Sequence, residues 1–487
     1  MRKKSLGLNA ILNGFRSVLN LLFPLVTFPY ISRVLQADGI GKYNFSNSII
    51  SYFLLIAALG IVNYSVREGS RFRDNRKKMS EFASQIFTIN MFSTAVAYIL
   101  LAVSLINFKN LHPYTVAILI FGLQIFFTTI GIEWIYTIYE EYAYITIRSI
   151  VFKILSMILL FVFVRKSSDY LNYVIITVFS SVGSNILNYF HAKKFCDIKI
   201  TLKIDWKKHL KPIFVIFATG IATQIYVNSD ITILGILKSD YIVGIYSVSS
   251  KIYNIVKSLV QAIVIVTVPR LSMLLGKGEI EKFKKLLNQV TELLLLFTLP
   301  ATVGLYMLAP QVIILISGRG YLRGVTSLRL LCPALMLSVF SWIFAYCVLL
   351  PSKKESKFLV AAIASAILNI VLNFLLIPFM SENGAALTTS LAELLMIIMI
   401  IYYSRSFLDG VYGKSFLKDI ISYILGSFVI IIICLLVNNL MCSTFVQLLV
   451  AVITSVIIYS IILIICKNQM AIKVLEFVKE KLNSKNY

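Results

Sequence analysis

Cationic side chains occur inside long apolar stretches of this sequence. Arg16, Lys153, Lys251 and Lys257 each lie within a run of mostly apolar residues. A charge at the centre of a lipid bilayer costs roughly 2.5–3.5 kcal/mol even on a lenient scale, so such groups must contact water or protein. Because guanidinium and ammonium groups form strong charge-assisted hydrogen bonds with phosphate oxygens, these cations are suited to an anionic substrate.

Polar side chains extend this cationic set along single helical faces. In the first apolar run Asn13, Arg16 and Asn20 are spaced by three and four residues, which stacks them on one face of a helix. Lys251 and Asn254 are spaced in the same way in a later run, and Lys257 lies one residue off that face. The predicted substrate-binding residues are therefore Arg16, Asn13, Asn20, Lys153, Lys251, Asn254 and Lys257.

Acidic residues within the apolar runs are fewer than the cations. Glu133, Asp230 and Glu393 are the main ones, and two interpretations are open. They could pair with the buried cations, for example Asp230 with Lys251. Alternatively, one of them could carry a coupling proton or sodium ion, and we retain all three as candidate ion-coupling residues.

The elements that must position these residues are membrane-spanning helices. Hydrophobic residues make up 59% of the 487 residues and charged residues only 14%, against about 45–50% and about 25% in soluble domains. Apolar runs long enough to cross about 30 Å of hydrocarbon recur along the chain, and their continuity favours helices over barrel strands. Fourteen spans are predicted, near 7–34, 41–66, 81–107, 113–139, 143–164, 170–191, 211–237, 240–269, 285–310, 324–350, 357–379, 383–404, 418–438 and 444–466.

The formal charge of +24 reflects membrane orientation rather than nucleic-acid binding. Most lysines and arginines fall in alternate loops, on the same side as the N-terminal "MRKKS". By the positive-inside rule this side is cytoplasmic, and both termini are predicted to lie there. The basic loops, including "HAKKFCDIKITLKIDWKKHLK", are interpreted mainly as orientation signals that attract anionic lipid, with direct substrate contact as the alternative.

An internal repeat divides the chain. "LQADGIGKYNFSNSI" resembles "LKSDYIVGIYSVSSKI", and an offset of 203 relates Gly41 to Gly244 and Tyr43 to Tyr246. We expect each copy to form the outward turn of a hairpin, with Asp38 and Gly39 reversing the chain and Gly41 beginning the next helix. Six spans separate the copies, so the two halves should share one orientation about an axis along the membrane normal.

The predicted fold class is therefore an all-α polytopic membrane protein with two six-helix lobes and two additional C-terminal helices. The lobes comprise residues 1–210 and 211–410, and residues 411–487 contain the last two spans and a cytoplasmic tail. Repeated bundles of this kind place a substrate between the halves near the middle of the membrane.

Sequence features of enzymes are not found. "GIG" at residues 39–41 lacks the longer phosphate-loop pattern, and no nucleophile–histidine–acid set falls within one region. The cysteines and histidines show no metal-binding spacing, so no cofactor or metal is predicted. The histidines are interpreted as structural, and "SGRGYLRG" at residues 317–324 as a tight exposed turn.

Several segments, in order, resemble one family of membrane proteins. "FPYISRVLQADGIGKYNFSNSIISYF", "GIEWIYTIYEEYAYITIRSIVFK", "SDYIVGIYSVSSKIYNIV" and "NGAALTTSLAE" are similar to Wzx-type polysaccharide flippases of the multidrug/oligosaccharidyl-lipid/polysaccharide exporter superfamily. "LLPSKKESKF" departs from the glycine-containing turn that members usually carry between spans 10 and 11.

The resemblance implies a flippase for undecaprenyl-pyrophosphate-linked oligosaccharide repeat units in the bacterial cytoplasmic membrane. It implies a cavity between two lobes in which Arg16, Lys251 and, as a third candidate, Lys153 contact the pyrophosphate or sugars. A polysaccharide polymerase and a chain-length regulator are the expected protein partners. An ion-coupled exporter of small molecules with the same fold, and a membrane-embedded polymerase, are the alternative functions.

Overall fold

The computed structural model describes the backbone of residues 6–440 and 443–483. It describes the side chains of residues 23–476, except those at 219, 222–223, 262–263, 265–266, 414 and 441–442. Within this part the chain forms helices joined by turns and short extended segments, without a β-strand. The helices are α1 (Leu6–Ala58), α2 (Ile61–Gly69), α3 (Arg76–Asn107), α4 (Thr115–Gly131), α5 (Glu133–Ile138), α6 (Tyr142–Phe163), α7 (Tyr170–Val182), α8 (Asn185–Ala192), α9 (Trp206–Leu237), α10 (Asp240–Gly276), α11 (Ile280–Met307), α12 (Ala309–Ser317), α13 (Val325–Ile343), α14 (Glu355–Leu408), α15 (Lys414–Asn438), α16 (Thr444–Ile465) and α17 (Gln469–Asn483).

Ten helical segments of the described part are long and apolar enough to cross a membrane. Two of them, Phe23–Phe72 and Glu355–Leu408, include sharp bends at Gln36 (φ 58°) and Ser381 (φ 50°), where one predicted span gives way to the next. Helices α9 and α10, of 32 and 37 residues, occupy the positions of predicted spans 7 and 8. The prediction of an all-α multi-spanning membrane protein is confirmed, and the helices are consistent with fourteen spans.

The first hairpin bends earlier than the sequence predicts. Gln36 alone leaves helical dihedral angles within α1, and residues from 37 onward are helical. The expectation that Asp38 and Gly39 reverse the chain is therefore wrong, as is the expectation that Gly41 begins the helix. The positive φ at the bend is adopted by Gln36, so neither Gly39 nor Gly41 is needed to reverse the chain.

Residue contacts divide the chain into two units, Met1–Gly244 and Ile245–Tyr487. In the first unit, the ends of α2, α3, α5, α8 and α9 enclose an aromatic core that includes Tyr64, Phe82, Trp134 and Tyr136. Helix α9 belongs to this unit, whereas the sequence analysis assigned predicted span 7 to the second lobe. The lobe boundaries at 210 and 410 stay a prediction.

Two apolar clusters organise the second unit. One joins α10, α11, α13 and α14, around buried side chains such as Phe283 and Leu294. The other packs α15 and α16 against α11 and the tail helix α17, with Tyr423 and Tyr459 buried between them. The two C-terminal spans are thus attached to the second unit through α11. Elsewhere the spanning helices expose large apolar side chains, as expected of a surface that contacts lipid.

Candidate functional site

A buried ion pair joins two of the predicted site residues in the second unit. The Lys257 ammonium on α10 lies 2.9 Å from Glu393 Oε1 on α14, and the side chains are 17% and 5% exposed. Lys257 also donates to the Tyr253 hydroxyl, one helical turn earlier, at 3.2 Å. Lys257, which is predicted to bind substrate, and Glu393, which is predicted to couple an ion, therefore form an ion pair with each other in this structure.

The face of α10 next to this pair carries exposed polar groups. Asn254 is exposed and its amide donates to the Ser250 carbonyl oxygen at 2.9 Å, while the Ser258 hydroxyl donates to the Asn254 carbonyl oxygen. Lys251, one turn before Asn254, is half-buried. In the predicted eighth span, an exposed amide and a half-buried ammonium group are unfavourable against lipid, so this face is suited to a water-filled space.

In the first unit, a hydroxyl cluster joins the second half of α1 to α9. Thr232 donates to the Ser48 hydroxyl at 3.1 Å and lies 3.1 Å from the Tyr52 hydroxyl oxygen. Asp230, two residues before Thr232 on α9, is buried, and its carboxylate interacts electrostatically with the Tyr52 hydroxyl. The predicted pairing of Asp230 with Lys251 stays a prediction.

The two copies of the repeat meet within the first unit, at the starts of two helices. A Cβ added to Gly41 would overlap the backbone of Asp240 and lie 3.0 Å from its Cα. A Cβ added to Gly244 would overlap the backbone of Ala37 in the same way, 2.9 Å from its Cα. Each glycine is the fifth residue of its helical segment and contacts the first residue of the other, so the contact is reciprocal.

We call this contact of residues 37–41 with residues 240–244 the glycine crossing. Two further contacts lie beside it. The Tyr114 hydroxyl donates to Asp240 Oδ1 at 2.6 Å. The Phe45 ring fills the space where a side chain at Gly235 would lie. The glycines shared by the two repeat copies are thus required by close backbone approach, which is a standard reason for glycine in a helix. The repeat in the sequence indicates the positions of these glycines, but only the fold shows the reason for them.

A break between α4 and α5 positions Glu133. Ile132, which is buried, has φ 38° and ψ 41°, a left-handed conformation that is strained for a β-branched residue. Glu133 follows as the first residue of α5, where the partial positive charge of a helix N-terminus favours a carboxylate. On α6, Lys153 is half-buried and its ammonium lies 6.0 Å from the centre of the Phe23 ring. The site roles of Glu133 and Lys153 stay predictions.

Three predicted site residues on the first helix, Asn13, Arg16 and Asn20, lie outside the residues whose side chains are described. A further ionic contact, between Arg323 and Glu382, was not predicted from the sequence. Arg323 contacts the buried Glu382 carboxylate through two nitrogens, at 2.5 and 3.3 Å. This fork joins the "SGRGYLRG" turn, a short 3-10 helix, to the start of the helix that follows the Ser381 bend. Only part of that turn is exposed, since Tyr321 is buried.

Comparison with known families identifies the class of protein to which this helical arrangement belongs. Residues 6–275, more than half of the chain, match the family described as "Polysaccharide biosynthesis protein". The chain belongs to this polysaccharide biosynthesis protein family. Residues 205–461 of this family member also match the family described as "Lipid II flippase MurJ". The resemblance to Wzx-type flippases of the exporter superfamily is therefore confirmed.

Individual relatives of this polysaccharide biosynthesis protein are distant but nearly full-length. A protein of Escherichia coli strain K12 named "Putative O-antigen transporter" is 24% identical over 418 residues, which cover 83% of this chain and 98% of the relative. A solved structure, "Lipid II flippase MurJ, inward closed conformation", aligns with a TM-score of 0.72 at 17% identity and covers 94% of this chain and 98% of its own. An inward-facing multidrug resistance MATE family transporter aligns with a TM-score of 0.64 at 12% identity, covering 81% and 95%. These structures show a shared fold.

Proposed function

We propose that the protein is a flippase for lipid-linked oligosaccharide repeat units, carried on undecaprenyl pyrophosphate, and that it is not an enzyme. The observation that carries this proposal is the polar face of α10, where the half-buried Lys251 and the exposed Asn254 lie on a helix at the position of predicted span 8, in a polysaccharide biosynthesis protein. Ammonium and amide groups are donors that can hold a pyrophosphate and the hydroxyls of sugars.

The Lys257–Glu393 pair supplies a means of switching affinity for the anion. While the two groups are 2.9 Å apart, Glu393 neutralises the charge of Lys257. A proton or sodium ion on Glu393 would release that charge for the pyrophosphate. Loss of the ion would restore the pair and favour release of the substrate. Asp230 and Glu133 remain alternative positions for the coupling ion.

Alternating access requires that one end of the transport path opens when the other closes. The glycine crossing of residues 37–41 with residues 240–244 is a close backbone contact at the predicted outward ends of two hairpins. We assign to it the closed outward end of the path, which must separate before a large sugar head group can leave. Small residues allow the two helices to approach this closely, so the path is sealed there by backbone contact.

The proposed location is the bacterial cytoplasmic membrane, with both termini in the cytoplasm. Substrate would then enter from the side on which it is assembled. A polysaccharide polymerase and a chain-length regulator acting on the opposite face are the proposed protein partners.

The test is complementation of a strain that lacks the gene, scored by immunoblot of the surface polysaccharide. Lys251→Ala is expected to abolish the polymer while the protein remains at its normal level in the membrane. Lys282→Ala removes an equal charge at an exposed position in the first turn of α11 and should leave the polymer unchanged. Normal polymer with Lys251→Ala would contradict the assignment of Lys251 to the substrate.

An ion-coupled exporter of small molecules is the second candidate, because the MATE transporter shares the fold and because Lys257 and Glu393 form a pair that an ion could open. It predicts that strains lacking the gene become sensitive to cationic drugs and keep their surface polysaccharide. The flippase predicts the reverse.

A further inference from the structure

The segment between the sixth and seventh predicted spans lies along α3 in an extended conformation. The backbone N–H groups of Asp197, Lys199 and Thr201 donate to the hydroxyls of three α3 residues. The acceptors are Ser80, Ser84 and Thr88, at 2.9, 3.1 and 3.0 Å respectively. We call residues 197–207 the strap.

The spacing of the two partners explains why the strap fits. Alternate residues of an extended chain are about 6.6 Å apart, and hydroxyls four residues apart on a helix rise by about 6 Å. Three successive hydrogen bonds can therefore form without a change of register. The backbone of the strap is thus paired with α3 along one edge, and most of its side chains are exposed.

The end of the strap is anchored by a buried histidine. His209 Nδ1 lies 2.7 Å from the Tyr64 hydroxyl on α2, and its Nε2 lies 3.0 Å from Gln85 Oε1 on α3. Gln85 Oε1 also accepts the Asp205 N–H at 3.2 Å. Burial lowers the pKa of His209 below its ordinary value, so the neutral ring can accept from the tyrosine. The strap is thus held at both ends.

The outward side of the strap combines apolar and cationic side chains. Leu202 is 96% exposed and Ile200 68%, which is unusual for large apolar residues on a surface that faces only water. Lys199 and Lys203 flank them and are exposed as well. Residues 193–211 contain seven lysines and two aspartates, so the local charge is strongly positive.

The length of α3 leaves room for the strap to lie at a membrane surface. Helix α3 has 32 residues and is therefore about 48 Å long, against about 30 Å for the hydrocarbon layer. The excess can be assigned to its first turns, which carry Arg76 and other charged residues and hold the strap. Phe92, exposed on α3 beyond the strap, packs against Trp206 with ring centres 6.1 Å apart. Such aromatic pairs are typical of the boundary between head groups and hydrocarbon.

We infer that the strap is a binding surface for anionic phospholipids, with Leu202 and Trp206 inserted among the head groups and Lys199, Lys203 and Lys207 contacting their phosphates. The occupant follows from charge complementarity, from the apolar side chains between the lysines, and from the position next to Phe92. A lipid surface satisfies both the apolar and the cationic groups at once. The inference does not depend on the substrate that the protein transports.

The test uses Trp206 as a fluorescent probe in reconstituted full-length protein. Trp134 and Trp342 are replaced by Phe, so that Trp206 is the only tryptophan. Vesicles contain phosphatidylcholine and phosphatidylglycerol at fixed proportions, with bromine quenchers on the acyl chains of one lipid at a time. We expect stronger quenching by brominated phosphatidylglycerol than by brominated phosphatidylcholine, and stronger quenching by bromines near the head group than by deep ones.

A charge-matched pair of variants separates a local surface from a general effect of net charge. Replacing Lys199, Lys203 and Lys207 by Gln should abolish the preference for the anionic lipid. Replacing three exposed lysines of the second unit, Lys277, Lys282 and Lys285, by Gln should leave it unchanged.

Four results would overturn the inference. The first three are equal quenching by the two lipids, no quenching by either lipid, and loss of the preference in both variants. The fourth is a change of Trp206 fluorescence on addition of inorganic pyrophosphate that disappears when Lys199, Lys203 and Lys207 are replaced but not when the control lysines are replaced. The last result would assign the strap to the substrate instead.

A second probe covers the case in which the tryptophan variant does not fold. A nitroxide on Leu202→Cys, with Cys442 and Cys466 replaced by Ser, reports depth through its accessibility to oxygen and to a water-soluble nickel complex. Higher accessibility to oxygen is expected. Accessibility only to the nickel complex would place the strap in water and overturn the inference.

Discussion

The Lys257–Glu393 pair gives a double-mutant prediction whose size follows from its geometry. The two charges are 2.9 Å apart, which at an effective dielectric constant of about 20 corresponds to an attraction of about 6 kcal/mol. Lys257→Met leaves the Glu393 carboxylate, 5% exposed, without its ammonium partner. We expect this single change to lower the free energy of unfolding by about 3–5 kcal/mol.

The double variant Lys257→Met/Glu393→Leu removes both charges and replaces them with apolar groups of similar size. We expect it to recover most of the lost stability, because neither charge is then buried alone. The measurement is unfolding in mixed micelles of increasing SDS content, followed by tryptophan fluorescence. Comparison of the two single variants with the double variant gives the coupling free energy directly.

A surface pair provides the matched control. Lys282 and Glu279 are 2.8 Å apart, and their side chains are 73% and 36% exposed. Lys282→Met should give no measurable change in stability, since water already screens this pair. Additive losses at Lys257 and Glu393, with no recovery in the double variant, would refute the conclusion that each charge is tolerated only because of the other.

Three further predictions concern backbone conformation and pH. Gly41→Ala should lower the free energy of unfolding by about 1–3 kcal/mol, because the added methyl group overlaps the backbone of Asp240. Gly304→Ala is the control, at a helical glycine with no neighbour within 4 Å, and should raise the free energy of unfolding by up to about 1 kcal/mol. Both are measured by unfolding in SDS. Lys353→Gly should raise the melting temperature, because Lys353 has φ 57°, where glycine is not strained; an unchanged or lower value would contradict this. Since burial lowers the pKa of His209, the folded protein should lose stability as the pH falls below about 6.5, and the melting temperature of His209→Gln should depend less on pH over that range.

Long apolar runs made most of the membrane fold predictable. Hydrocarbon thickness fixes how many apolar residues a helix needs, and this constraint acts locally along the chain. The repeat could also be found, because it is a similarity within the sequence itself. The position of the first bend was predicted wrongly, because Asp38 and Gly39 are favourable turn residues but the tertiary structure bends the chain at Gln36.

Side-chain pairing could not be predicted in the same way. Whether Glu393 pairs with Lys257 or with another cation depends on the rotation of α14 about its axis and on its distance from α10. Both are set by packing between helices that are distant in sequence. The contact of Arg323 with Glu382 could not be predicted either, because each residue lies beside a turn and only the fold brings the two together. The break at Ile132 gave no sequence signal, since isoleucine is unfavourable in the conformation that it adopts.

Transport of a lipid-linked oligosaccharide is the central claim, and reconstitution tests it most directly. Purified protein in liposomes is supplied with undecaprenyl-pyrophosphate oligosaccharide carrying a fluorescent sugar, and a membrane-impermeant quencher reports the fraction in the outer leaflet over time. We predict that the wild-type protein moves label between leaflets faster than protein-free liposomes do, and that Lys251→Ala removes the difference. Equal rates with and without the wild-type protein, under imposed proton and sodium gradients of either direction, would contradict the account.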